Sequence, residues 1–94
     1  MKAEQIAKRA AELVSGERAQ KHGDSKRNMM NIAALWNAYL KIRRDPLSDL
    51  TGVDVCHLMA LLKVARTQSG ELHPDDWIDS VGYLIIAGDL AEME

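Results

Sequence analysis

The chain has 94 residues, a formal net charge of -2, a pI near 5.9 and a single cysteine. That length fits one domain whose stability is marginal unless something besides its own core adds to it. Cys56 alone excludes an intramolecular disulfide and suits a reducing cytosol, and the charge gives no overall attraction for nucleic acid or an anionic membrane.

In chain order, helical spacing predicts a first helix over about 3–15, with Ile6, Ala10, Leu13 and Val14 on one face and Gly16 as its stop. Its opening residues, Met1-Lys2-Ala3-Glu4-Gln5, are too polar for an apolar leader, and no stretch reaches the length of a membrane span, so the expected location is the cytoplasm. A basic segment follows, carrying Arg18, Lys21, His22, Lys26 and Arg27, with Asp24 or Ser25 as the N-cap of a second helix over about 26–44. The inner stripe of that helix is read as Asn28, Ile32, Leu35, Trp36, Tyr39 and Ile42, and Lys41, Arg43 and Arg44 oppose the dipole in its last turn. Asp45-Pro46 stops it. Thr51 with Asp54 three residues later has capping-box spacing and opens a third helix over about 52–67. His73-Pro74-Asp75-Asp76 opens a fourth over about 74–93. No run alternates long enough for a strand, so the predicted fold is all-α, a four-helix antiparallel bundle in a single domain over 1–94.

The fourth helix is apolar around most of its circumference, which predicts completion of the bundle by self-association into a dimer or tetramer. Gly82, Ala87 and Gly88 permit close approach of another helix. On its remaining side Asp76, Asp79 and Tyr83 share a face. Two carboxylates at i and i+3 could hold Mg²⁺ or Mn²⁺, with water and substrate phosphates completing the shell. The plain alternative is that Asp76 caps the helix and Asp79 pairs with Lys63 or Arg66 of an antiparallel neighbour. Lys63 and Arg66 have the same i, i+3 spacing, and cations there could equally hold phosphate oxygens, for which the Arg fork is suited. Asn28 falls on an apolar stripe and so needs partners or lines a cavity, and Asp24 one turn earlier would shape the same site beside the basic residues around Arg18. No zinc spacing, Gly-rich phosphate loop or nucleophile elbow is present. Specific DNA binding is disfavoured, because the third helix is apolar where a reader helix needs polar groups.

The pattern Arg18…His22-Gly23-Asp24…Asn28…Leu35-Trp36-Asn37-Ala38-Tyr39-Leu40, then Asp54-Val55…Lys63-Val64-Ala65-Arg66, then Asp76-Trp77-Ile78-Asp79…Gly82-Tyr83 resembles a family of small phage and prophage proteins of unknown function, the DUF6378 type. That resemblance covers nearly everything after the first helix and implies a phage-encoded protein in the bacterial host cytoplasm. More remotely, Asp76-x-x-Asp79 followed by Gly82-Tyr83 resembles the second acidic motif of MazG-like all-α nucleoside triphosphate pyrophosphohydrolases. This likeness implies that Asp76 and Asp79 face a metal in a helical oligomer. The chain departs from that pattern in helix three, which lacks Glu-x-x-Glu and offers Lys63 and Arg66 instead. The combined expectation is a nucleotide- or phosphate-binding homo-oligomer with Mg²⁺. Asp76 and Asp79 would hold the metal, Lys63, Arg66 and Arg18 the phosphates, and Asp24, Asn28 and Tyr83 would form the pocket. Whether it hydrolyses its ligand is left open. The competing expectation is a non-enzymatic protein that binds and alters a host protein, with the same charges serving structure alone.

Overall fold

The computed structural model describes residues 1–16 and 25–93. Among them are four α-helices and no strand: α1 (Ala3–Ser15), α2 (Ser25–Ile42), α3 (Gly52–Arg66) and α4 (Pro74–Met93).

α3 lies at the centre, packing chiefly against α4 and to a lesser extent against α2. Both pairs are antiparallel. On one flank the Trp36 indole donates to the Leu58 carbonyl at 2.7 Å, and the Tyr39 hydroxyl reaches Asp54. On the other, Ser80 Oγ donates to the Ala60 carbonyl at 2.9 Å, and a Cβ added to Gly52 would stand 3.2 Å from Leu90 Cδ1. Gly52 therefore marks a close approach of the start of α3 to the end of α4.

Local chemistry sets the helix ends. At the start of α3 the Thr51–Asp54 capping box is complete, with Asp54 N–H donating to Thr51 Oγ1 at 3.2 Å and Thr51 N–H to Asp54 Oδ2 at 2.9 Å. Thr67 ends the helix by donating from both N–H and Oγ to the Val64 carbonyl, and Gly70, at φ 68°, turns the chain toward α4. At the start of α4 it is His73 Nδ1, not an Asp76 oxygen, that accepts the Asp75 N–H, at 3.2 Å. α2 stops at Ile42, two residues before the expected end, and Ile42 itself is 79% exposed instead of inward. The reason is Arg43: its guanidinium turns back to the Ser48 and Asp49 carbonyls and to Asp54, so it takes the inward place and does not serve as a dipole-facing surface cation.

The core is thin. Ile32, Cys56, Leu58, Ala60, Ala65 and Ala87 are buried, yet no large side chain among the described residues falls below 2% exposure. α1 contributes no buried residue, and its apolar face, Ile6, Leu13 and Val14, is exposed. Two antiparallel pairs sharing α3 carry most of the packing among the described residues. No helix is long and apolar enough to cross a membrane among the described residues.

Candidate functional site

Polar side chains are buried at two levels of the α2–α3–α4 assembly. The levels differ in whether their hydrogen bonds are complete.

At the level of the α3 start, Asp54 is 7% exposed and fully engaged. Beyond its cap it accepts from Tyr39 Oη at 2.6 Å and from Arg43 Nε and Nη2 at 3.2 and 2.8 Å. The hydrogen bonds from Tyr39 and from the Thr51 backbone, with Arg43 adding to them, hold its carboxyl well below the usual carboxylate range against the opposing effect of burial. Burial first, then the bond to Asp54 and its charge, push the Tyr39 hydroxyl up to about 12. Tyr39 Oη also lies 2.9 Å from His57 Nδ1, with the two rings edge to face at 5.5 Å. A phenol has one proton, and the short bond to Asp54 uses it. Nδ1 of His57 must therefore be the donor to Tyr39, which leaves Nε2 of the neutral ring with the lone pair. Tyr39 and His57 border an apolar groove of about 260 Å³ completed by Ala60, Leu61, Val64, Ser80 and Leu84. This level is a satisfied network that locks α2 to α3. Sequence reasoning took Asp54 for a cap and Tyr39 for a stripe residue, and did not assemble them; the usable signal was Tyr39 with Arg43 four residues on, just past the end of α2, and Asp54 and His57 at i, i+3 on α3.

The other level holds the residues expected at a site. Lys63 Nζ meets Asp79 Oδ2 at 2.9 Å, with side chains 15% and 44% exposed. That pairing, with Ser80 against Ala60, sets a register in which Arg66 lies level with Asp76. On the opposite flank, the register of Trp36 on Leu58 and Tyr39 on Asp54 brings Asn28 to the level of Arg66. Asn28 is 4% exposed and Asp76 5%. Asn28 Oδ1 and Arg66 Nε are buried with no hydrogen-bond partner, and Asp76 makes no ion pair among the described residues. A buried polar group left unsatisfied costs about 1–3 kcal/mol, so two such atoms on neighbouring helices, level with a buried carboxylate on a third, are costly for mere scaffolding. Tyr83, about two helical turns beyond Asp76, lines with Ile78, Asp79, Gly82 and Ile86 a shallow groove of about 380 Å³. Arg18 and Asp24 lie outside the described residues.

The pair Asp76 and Asp79 does not present two free carboxylates on one face. Asp76 is turned into the helix contact, whereas Asp79 is half exposed and neutralised by Lys63. Among the described residues no group of three or more His, Cys, Asp or Glu side chains could hold a metal ion.

The family profile described as "Domain of unknown function (DUF6378)" matches residues 5–91. The chain is 40% identical over 85 residues to the Gene 55 protein of Mycobacterium phage L5, covering 90% of this chain and 49% of that protein. It is 34% identical over 80 residues to the Gene 55 protein of Mycobacterium phage D29, covering 85% and 49% respectively. The chain thus spans about half the length of the curated relatives it matches. No solved structure matches it.

Proposed function

For a chain that belongs to the DUF6378 family of phage-type proteins of unknown function, we propose that it binds a phosphate-bearing small molecule, a nucleotide by class, at the level of Asn28, Arg66 and Asp76. The observation that carries this reading is the buried, unpartnered pair Asn28 Oδ1 and Arg66 Nε, set level with a buried carboxylate. Such groups are what a ligand with donors, acceptors and negative charge would complete. In this reading Arg66 supplies a guanidinium fork to phosphate oxygens, and Lys63 exchanges Asp79 for phosphate. Asn28 and Asp76 take the hydrogen-bonding edges of the base or sugar, with Tyr83 along the groove that Asp79 also lines. Arg18 and Asp24 join this list from the sequence alone. A divalent cation would arrive with the phosphates instead of being held beforehand by Asp76 and Asp79.

The test is a thermal-shift panel of ribo- and deoxynucleoside mono-, di- and triphosphates and pyrophosphate, each with and without Mg²⁺ or Mn²⁺. Ligand at a hundredfold excess over its dissociation constant stabilises by about 2.7 kcal/mol, and Arg66→Gln abolishes that shift. Asp79→Asn separates the two metal arrangements. It frees Lys63 and leaves metal-free binding intact or tighter, whereas a carboxylate-held metal would make the same variant lose binding. No shift with any phosphate compound refutes the proposal and leaves a protein that works through contacts with another protein.

A further inference from the structure

The exposed face of α4 is patterned for one occupant. Trp77, Val81, Leu84 and Gly88 follow a 4-3-4 spacing, flanked by Ile78 and Ile85, the arrangement of a coiled-coil seam. These side chains are half or more exposed, with Leu84 at the edge where α4 meets the α3 groove. Trp77 is 51% exposed, Ile78 65%, Val81 56%, Leu84 52% and Ile85 61%. At roughly 100 Å² each they present, with Val64 of α3, about 600 Å², most of the ~800 Å² that one partner contributes to a standard-size interface.

We infer that this face is covered by α4 of a second copy of the chain, running antiparallel about a two-fold axis near residues 82 and 83. The size order along the seam selects that orientation. Antiparallel pairing sets Trp77 opposite Gly88 of the second copy and Val81 opposite its Leu84, so the largest side chain meets the smallest and the two middle ones meet each other. A Cβ added at Gly88 finds nothing within 4 Å in the single chain, so the slot for a partner's indole is open. Parallel pairing would set Trp77 on Trp77 and Gly88 on Gly88, a clash at one end and a void at the other. An isologous interface needs a self-complementary patch, and this seam is one. It also runs past Leu84, so the second copy closes one side of the groove that Tyr39 and His57 border. The inference stands apart from the phosphate reading, because Asn28, Arg66 and Asp76 lie off this face and only the flanking Ile78 borders the groove of Tyr83.

Light scattering coupled to size-exclusion chromatography of the intact chain is expected to give twice the 10.5 kDa chain mass, and a 10.5 kDa particle at tens of micromolar overturns the inference. Gly88→Gln, which meets nothing in the single chain, keeps the helical circular dichroism signal and raises the dimer dissociation constant at least tenfold. Gly82→Gln, equally unobstructed but off the seam, leaves the mass unchanged. If Gly88→Gln stays as dimeric as Gly82→Gln, the packing of Trp77 on Gly88 is wrong. Orientation is read by pulsed electron paramagnetic resonance on a spin label at Glu92→Cys, the buried Cys56 being shielded from the reagent. Antiparallel helices hold the two labels about 30 Å apart at 1.5 Å per residue, and a distance below about 15 Å would mean parallel pairing.

Discussion

Removing the charge of Asp54 is the most direct way to test what holds α2 on α3. Asp54→Asn keeps the shape but leaves Arg43, whose side chain is 7% exposed, without its carboxylate, and sets an amide N–H₂ against donors from Arg43, Tyr39 or Thr51. Breaking a buried ion pair from one side costs about 3–5 kcal/mol. Arg43 retains the Ser48 and Asp49 carbonyls and Ser48 Oγ, so the lower end applies, about 3 kcal/mol. Against a total of ~5–15 kcal/mol for a domain that is a large fraction, and it corresponds to a fall in Tm of about 12–24 °C. Urea unfolding followed by circular dichroism measures it, with Tyr39→Phe, expected at about 1–2 kcal/mol, and the double variant completing a thermodynamic cycle. Tyr39 and Asp54 should couple by about 1 kcal/mol or more. An Asp54→Asn penalty below about 1 kcal/mol would show that the network contributes little and that α2 is held by Trp36 and Ile32 alone.

The same network fixes the pH response. Asp54 titrates lower in the folded chain than unfolded, so its contribution is fully present above the unfolded value near ~3.9 and is lost as pH falls from there toward the folded value. Tyr39 titrates higher when folded, so its contribution is present below 10.0 and is lost as pH rises from there through about 12. Urea midpoints should therefore fall at both extremes, and the alkaline fall should vanish in Tyr39→Phe. At the other level, Asn28→Leu removes an unsatisfied buried acceptor and should raise stability by roughly 1 kcal/mol while abolishing any nucleotide-induced shift. A destabilised Asn28→Leu would mean that the amide is already satisfied. Lys63→Met should cost less than about 1 kcal/mol, because Asp79 is half exposed and screened by solvent; a larger loss in thermal melting contradicts that. Nitrogen NMR of neutral His57 should show the proton on Nδ1, and Tyr39→Phe should shift the tautomer balance toward Nε2.

The sequence by itself determined the local events. Helix positions followed from 3.6-residue spacing, and the Thr51–Asp54 cap and the Pro74 start from residues whose chemistry acts within one turn. It also placed Lys63 within reach of Asp79, because an antiparallel hairpin allows few registers. What only the tertiary structure decided is how far a side chain is enclosed and by what. Arg43 and Asp54 are eleven residues apart, and nothing within either helix says that a terminal cation will fold inward to meet a cap. Asp76 and Asp79 look equivalent on a helical wheel, yet the α3 contact buries one and leaves the other half in water. Ile6 and Leu13 have the pattern of a core face and do not enter one, since a periodicity states which residues would be buried together without supplying the surface that buries them.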